Sequence, residues 1–318
     1  MPSNDVVIAK ERKALMDLMD GKSHDGAFRV AGRRVDETIL IATWNIQQFS
    51  NRHSDRALQY MADIVERFDI IALQEVKTDL RGLSRLQHML PGNYKILVSD
   101  PTGNAERFAF LYDKRTVIPT GLVCEIGFNV TAATHQGFQL HRMPYCASFR
   151  AGRFDFVVAS AHIFYGKTKK EREARETEIK ALVDFVAKRA KTERGKVFDR
   201  DFFVVGDMNI EERDDPFFMA LKSKGFKTPK ALDDLKTNFE RTKTFDKIAW
   251  VPRKSFSFRE RIRTEDGEIG GVNVVPFGEV LFKDGNAKKA ISDHLPLWAS
   301  FEVNKLTQEL DQIINPGD

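Results

Sequence analysis

The chain has 318 residues, with 50 Lys+Arg against 46 Asp+Glu and a formal net charge of +4. That balance does not by itself mark a polyanion binder, which would need clustered charge. No apolar run approaches the ~20 residues needed to span a bilayer, and the two cysteines, Cys124 and Cys146, fall in strand-like stretches and could be neighbours but do not imply a disulfide framework.

Met1-Pro2-Ser3-Asn4-Asp5 lacks a basic region followed by a hydrophobic stretch, so a reducing cytoplasm and buried thiols are the expectation. Residues 5–20 spell a short amphipathic helix with Val6, Val7, Leu15, Leu18 and Met19 as its apolar positions and Gly21 to end it. With the polar link after it, this is an N-terminal extension over residues 1–37, expected to pack on the domain or to meet a partner. Strand patterns follow. Ile39 to Trp44 runs into Asn45, and Ile70 to Leu73 runs into Gln74 and Glu75. Glu106 to Tyr112 reads as a strand led by a glutamate, and Phe154 to Ala161 runs into His162.

Lys167, Lys169 and Lys170 follow, placed either to meet a nucleic-acid backbone or to solvate a loop. Glu171 to Arg189 alternates charge sign and carries Ile179, Leu182, Val183 and Val186 at helical spacing, the pattern of a surface helix with one buried stripe. Phe202 to Val205 runs into Gly206-Asp207-Met208-Asn209, and Asp246 lies at the head of another apolar stretch. Arg253 to Arg263 interleaves basic residues with Phe. It suits phosphate contact with base stacking, or an alternating strand with Phe256 and Phe258 inward. Asp266-Gly267 is a hairpin signal, so Arg259 to Lys289 reads as a hairpin-bearing insertion beside the active site that shapes substrate choice. The last motif is Ile291-Ser292-Asp293-His294-Leu295-Pro296.

Each strand end is bland alone, because buried strands must stop and polar residues cap them. Together they gather amide, carboxylate and imidazole groups, the inventory for holding a hard divalent cation and cleaving a phosphate ester. His24, His53, His88, His135 and His141 have no such context, and neither H-x-x-x-H nor Cys-x-x-Cys spacing supports a zinc site.

The order Trp44-Asn45, Gln74-Glu75, Arg142-Met143-Pro144, His162 at a strand end, Gly206-Asp207-Met208-Asn209, Asp246-Lys247-Ile248 and Ser292-Asp293-His294 resembles the endonuclease/exonuclease/phosphatase superfamily over residues 38–303. Glu106 leading one strand and His162 ending another are closest to its deoxyribonuclease I branch. The resemblance implies a four-layered α/β sandwich of two mixed β-sheets flanked by helices, with the active site at one rim. It leaves 304–318 as a C-terminal tail.

The same resemblance implies roles. Glu75 and Asp293 would be carboxylate ligands to Mg²⁺ (or Mn²⁺), with Asn45 lending an amide oxygen. His294, its tautomer fixed by Asp246, would activate the attacking water. Asp207 could take that proton instead, or bind a second metal. His162, oriented by Glu106, would protonate the leaving 3′ oxygen, and Asn209 and Arg142 would hold the phosphoryl oxygens. The implied function is a metal-dependent phosphodiesterase acting on DNA, an endonuclease of low sequence specificity, since no zinc finger or recognition helix is visible. A phosphatase or phosphodiesterase for a small or lipid phosphoester would use the same residues. A catalytically dead scaffold would have no chemical reason to keep them all.

Overall fold

Apolar runs without clean alternation become inner strands here because both faces of each sheet are covered. The computed structural model describes residues 4–128, 139–192, 199–265, 267–282 and 285–304, with isolated positions beyond. His135, Asp266 and nearly all of the 304–318 tail lie outside the described residues. In chain order the elements begin with α1 (Asn4–Met19), β1 (Thr38–Phe49), α2 (Asp55–Val65), β2 (Ile70–Lys77), α3 (Arg81–Met89), β3 (Tyr94–Val98) and β4 (Glu106–Asp113). Next come β5 (Ile118–Glu125), β6 (Tyr145–Ala151), β7 (Phe154–His162), α4 (Lys169–Lys191), β8 (Phe202–Asp207) and α5 (Pro216–Lys222). The remainder are β9 (Asp246–Trp250), β10 (Ser257–Phe258), β11 (Arg261–Thr264), β12 (Gly267–Gly270), β13 (Val272–Val274), α6 (Ala287–Ala290) and β14 (Leu297–Glu302).

One sheet runs β10-β14-β1-β2-β4-β3 with β13 also on β14, and the other runs β5-β6-β7-β8-β9. Both are mixed, since β1 and β2 are parallel in the first, β7 and β8 in the second, and their neighbours antiparallel. Alternate side chains of β7 and β8 serve two cores. Phe154, Phe156, Val158, Phe203 and Val205 face the other sheet. Val157, Ala159, Ala161, Phe202 and Val204 pack under α4 and α5 with Ile179, Leu182 and Val183. The result is helices, sheet, sheet, helices: the four-layered α/β sandwich expected. Among the described residues no helix is long and apolar enough to cross a membrane.

Helix α1 packs through Leu15, Leu18 and Met19, while Val6 stays exposed. It is tied to α2 by Arg12 on Asp63 and by buried Glu11, which accepts from Arg56 and Tyr60. Cys124 and Cys146 face each other across β5 and β6, both free.

The basic, Phe-bearing segment is not where the sequence reading put it. Phe258 pairs with Phe301, which pairs with Ile39 near the start of β1. Asn45 and the other candidate site residues lie at the other end of β1, about 20 Å away at ~3.3 Å per residue. The β11–β12 hairpin does form, but it grows from that remote end. Phe256 joins Phe154, Phe203 and Phe301 in the inter-sheet core. The inward-Phe reading is the correct one, and base stacking by this segment is not.

Candidate active site

Sheet register alone lines up half of the site. His162, Asp207 and Asp246 end or begin β7, β8 and β9 and are direct neighbours, His162 opposite Asp207 and Asp207 opposite Asp246. Asn45 lies beside Gln74 on the facing sheet, which brings Glu75 to the same rim. Strands β7 and β8 approach closely beneath these residues. A Cβ on Gly206, where φ is +132°, would lie 1.9 Å from the carbonyl oxygen of Ala161, so only glycine fits there. Buried Gln74 ties the two sheets by donating to Ser160 Oγ at 3.0 Å and to Thr43 Oγ1 at 3.1 Å.

Local backbone strain aims the rest. Register breaks in β1 between Asn45 and Phe49, and in β2 between Leu73 and Val76. Gln47, Gln48 and Glu75 take left-handed φ values of 37°, 56° and 62°. Such bulges turn a side chain out of the sheet's alternation. Here they swing Glu75 into the cavity, where the Gln48 N–H donates to its Oε2 at 2.9 Å. Asn45 Nδ2 bridges Glu75 Oε1 and Asp207 Oδ2, at 3.0 Å to each. Its Oδ1 accepts from the Gln47 N–H at 3.0 Å. The amide therefore clamps two carboxylates, and its oxygen, the expected metal ligand, also accepts one backbone N–H.

The Ser-Asp-His loop is stapled to β1. Ser292 Oγ donates to the Asn45 carbonyl at 2.6 Å and accepts from the His294 N–H at 3.0 Å, while Trp44 Nε1 donates to the His294 carbonyl at 2.9 Å. His294 Nδ1 meets Asp246 Oδ2 at 2.8 Å, as expected, and its Nε2 lies 3.7 Å from Asp207 Oδ2. Burial alone would lower this imidazole's pKa. Asp246 and Asp207, helped by the Asp246 hydrogen bond and by Asp293, overcome that and raise it to about 10.

His162 is tuned oppositely. Its Nε2 lies 3.5 Å from Asp207 Oδ2, but burial, reinforced by Arg142, His294 and His141, outweighs that attraction and lowers its pKa to about 3. The expected bond from Glu106 is not made: the carboxylate is 3.9 Å from Nδ1, and Nδ1 is buried without a hydrogen-bond partner. Glu106 is occupied instead by Lys77 at 3.1 Å, Arg142 at 3.2 Å and Gln48 at 3.3 Å. Arg142 thus reaches the cavity already leaning on Glu106.

Asn209, at φ 50°, donates its N–H to Asp207 Oδ1 at 2.9 Å and its Nδ2 to the Ile163 carbonyl at 2.7 Å. Asn45, Glu75, Arg142, His162, Asp207, Asn209, Asp293 and His294 line one open cavity of about 370 Å³. Glu75, Glu106 and His162 form one cluster of possible metal donors there, and Asp207, Asp246 and His294 another; Asp293 belongs to neither.

Residues 42–294 match the Endonuclease/Exonuclease/phosphatase family. The chain belongs to that family. No curated protein matches it. Among solved structures, an endonuclease/exonuclease/phosphatase from Bacteroides vulgatus is 16% identical with a TM-score of 0.56, covering 84% of this chain and 99% of that one. Truncated Caenorhabditis elegans TDP2 is 18% identical with a TM-score of 0.52, covering 84% and 98%. The Bacteroides thetaiotaomicron VPI-5482 mannosyl-6-phosphatase is 17% identical with a TM-score of 0.54, covering 83% and 98%. At such identities the likeness is one of fold.

As a family member, this chain is a metal-dependent phosphoesterase, and the site fits a hard divalent ion. Glu75's pKa is raised by burial first, against the Asn45 hydrogen bond, and further by the charges of Glu106 and Asp207. Converging oxygen donors short of counter-charge suit such a cation. Sequence reasoning missed Gln48 and Lys77, which hold the two glutamates, and Arg175 and Glu178, buried in α4. The last two were detectable: stepping back from Leu182 and Ile179 along the apolar stripe lands on charged residues.

Proposed function

We propose that the chain is a divalent-metal-dependent phosphodiesterase that cuts DNA as an endonuclease of low sequence specificity. The observation that carries this reading is the placement of two histidines within 3.5 and 3.7 Å of one carboxylate oxygen, Asp207 Oδ2, on the cavity that also holds Glu75, Arg142 and Asp293.

With a pKa near 10, His294 enters the reaction as an imidazolium held by Asp246 and binds a phosphoryl oxygen. Of the two candidates for taking the water's proton, Asp207 is then the better placed. Asn45 and Asn209 already hold it in position. His162 is neutral before substrate arrives. The anionic diester favours its protonated form, so His162 takes up a proton from solvent as the substrate binds and passes it to the leaving oxygen, a transfer worth about 10²–10⁴-fold. Arg142 and Asn209 hold the remaining oxygens. Mg²⁺ or Mn²⁺, held by Glu75 and Asp293, would neutralise charge on the phosphate and on the departing oxygen.

A second reading, a phosphatase for a small sugar-phosphate-like ester, draws on the fold shared with the mannosyl-6-phosphatase. One experiment separates them. Supercoiled plasmid and a panel of phosphate monoesters are each incubated with the protein, with its His294→Ala variant, and with Mg²⁺, Mn²⁺ or EDTA. Metal-dependent nicking lost in the variant supports the DNA reading. Phosphate release from monoesters without nicking by folded protein replaces it with the second.

A further inference from the structure

We propose that Tyr165, with Phe164 beside it in the chain, is a preformed stacking platform for the nucleobase next to the phosphate that is cut; the proposal rests on the DNA reading above. Both residues line the catalytic cavity, in the stretch that follows His162. Tyr165 is 37% exposed, a large ring on the rim of an otherwise charged site.

That ring is held rather than loose. Fully buried Arg175 donates through Nη2 to the Gly166 carbonyl at 2.7 Å and through Nη1 to the Asn209 carbonyl at 2.8 Å. Its guanidinium lies 4.6 Å from the centre of the Tyr165 ring and 4.5 Å from that of Phe217. Glu178 accepts the Phe164 N–H at 3.1 Å and the His141 N–H at 2.6 Å. The Tyr165 hydroxyl donates to Glu211 at 3.3 Å. Desolvating an arginine and a glutamate inside one helix is costly unless their hydrogen bonds are met. Here Arg175, bonded to the Gly166 carbonyl, and Glu178, bonded to the Phe164 N–H, hold the backbone on both sides of Tyr165, while Arg175 Nε is buried without a hydrogen-bond partner.

The ring also continues a line of aromatics leading out of the site. Phe245 lies 5.6 Å from the His294 imidazole, and Tyr165 meets Phe245 edge-on at 6.2 Å. A rigid ring beside the reacting phosphate offers a base a stacking surface at little ordering cost. Stacking is tolerant of sequence because every base has a π-face, which agrees with an enzyme carrying no base-reading element.

The test is steady-state cleavage, by the full chain with Mg²⁺, of a labelled single-stranded DNA and of a matched oligomer with tetrahydrofuran residues in place of its nucleosides. Wild-type protein should show the lower KM on the base-bearing strand. Tyr165→Ala should raise that KM about tenfold, leaving kcat and the base-free KM unchanged, and Tyr165→Phe should behave as wild type. An alanine variant that changes neither substrate, or both alike, overturns the platform, since the ring would then only cover Arg175. A phenylalanine variant as poor as alanine also overturns it, assigning the effect to the hydroxyl on Glu211. Equal KM values on both strands for wild type sink the platform while sparing the nuclease. A wild type that cuts neither strand but releases phosphate from monoesters removes the DNA reading and the platform together.

Discussion

Replacing Asp246 by Asn keeps the shape of the side chain and removes the charge that faces His294 Nδ1 at 2.8 Å. In the native site the imidazole pKa is raised from 6.5 to about 10, with Asp246 the first of the causes that raise it against burial. A folded-state pKa above the unfolded value contributes stability that is complete below the unfolded pKa and is lost as pH rises through the folded one. Here the window runs from about pH 6.5 to about pH 10. At about 1.4 kcal/mol per pKa unit, its full size is of order 5 kcal/mol. An opposite charge at this range is worth roughly 1–3 units, so Asp246→Asn should lower the His294 pKa by about 2 and shrink the term by ~3 kcal/mol. The gap between wild type and variant should therefore stay near its full size up to about pH 8, the variant's pKa, and close between about pH 8 and about pH 10. Urea unfolding at a series of pH values measures the gap, and the histidine ring resonances give the pKa directly. A gap that stays flat from pH 6 to 10, or a wild-type His294 titrating near 6.5, would refute the reasoning. Activity should fall as well, by several orders of magnitude, because a histidine without its orienting carboxylate loses the required protonation and geometry.

Glu75→Ala should abolish metal-dependent cleavage without unfolding the chain, since its side chain faces the cavity; calorimetry beside the nicking assay checks both halves, and near wild-type cleavage would sink the metal assignment. Gly206→Ala should cost about 3 kcal/mol through backbone strain and overlap, because its Cβ would sit 1.9 Å from the Ala161 carbonyl; a melting temperature unchanged from wild type would show that the strands can part. His162 produces the opposite pH limb. Its pKa is depressed to about 3 by burial, so stability should decline as pH falls from about 6.5 toward 3 while the unfolded chain takes up the proton, and His162→Gln should flatten that acid limb in the same unfolding series.

The residue types and order of the site were legible in the sequence because most of them follow or precede an apolar strand run, and strand ends at one rim follow from parallel and antiparallel pairing. His162, Asp207 and Asp246 fall side by side for that reason alone. The α4 stripe was legible for the same kind of reason: Ile179, Leu182, Val183 and Val186 repeat at the period of a helix, and all four are buried.

Orientation was not legible. Glu75 enters the cavity only through left-handed backbone at a bulge, and a bulge breaks the alternation on which sequence reading depends. Whether Glu106 bonds His162 is a contest among Lys77, Arg142 and Gln48, residues from separate strands and loops, and chain order carries no record of its outcome. The segment from Arg253 to Arg263 follows Asp246 in sequence yet sits at the far end of the sandwich, because β9 carries the chain the length of the sheet away from the rim before β10 begins. Periodicity and residue type thus determined which groups this protein has and which strand ends carry them. Their partners, their exposure and the opposed proton affinities of His162 and His294 were decided by tertiary packing, since each depends on charges and buried surface brought together across the two sheets.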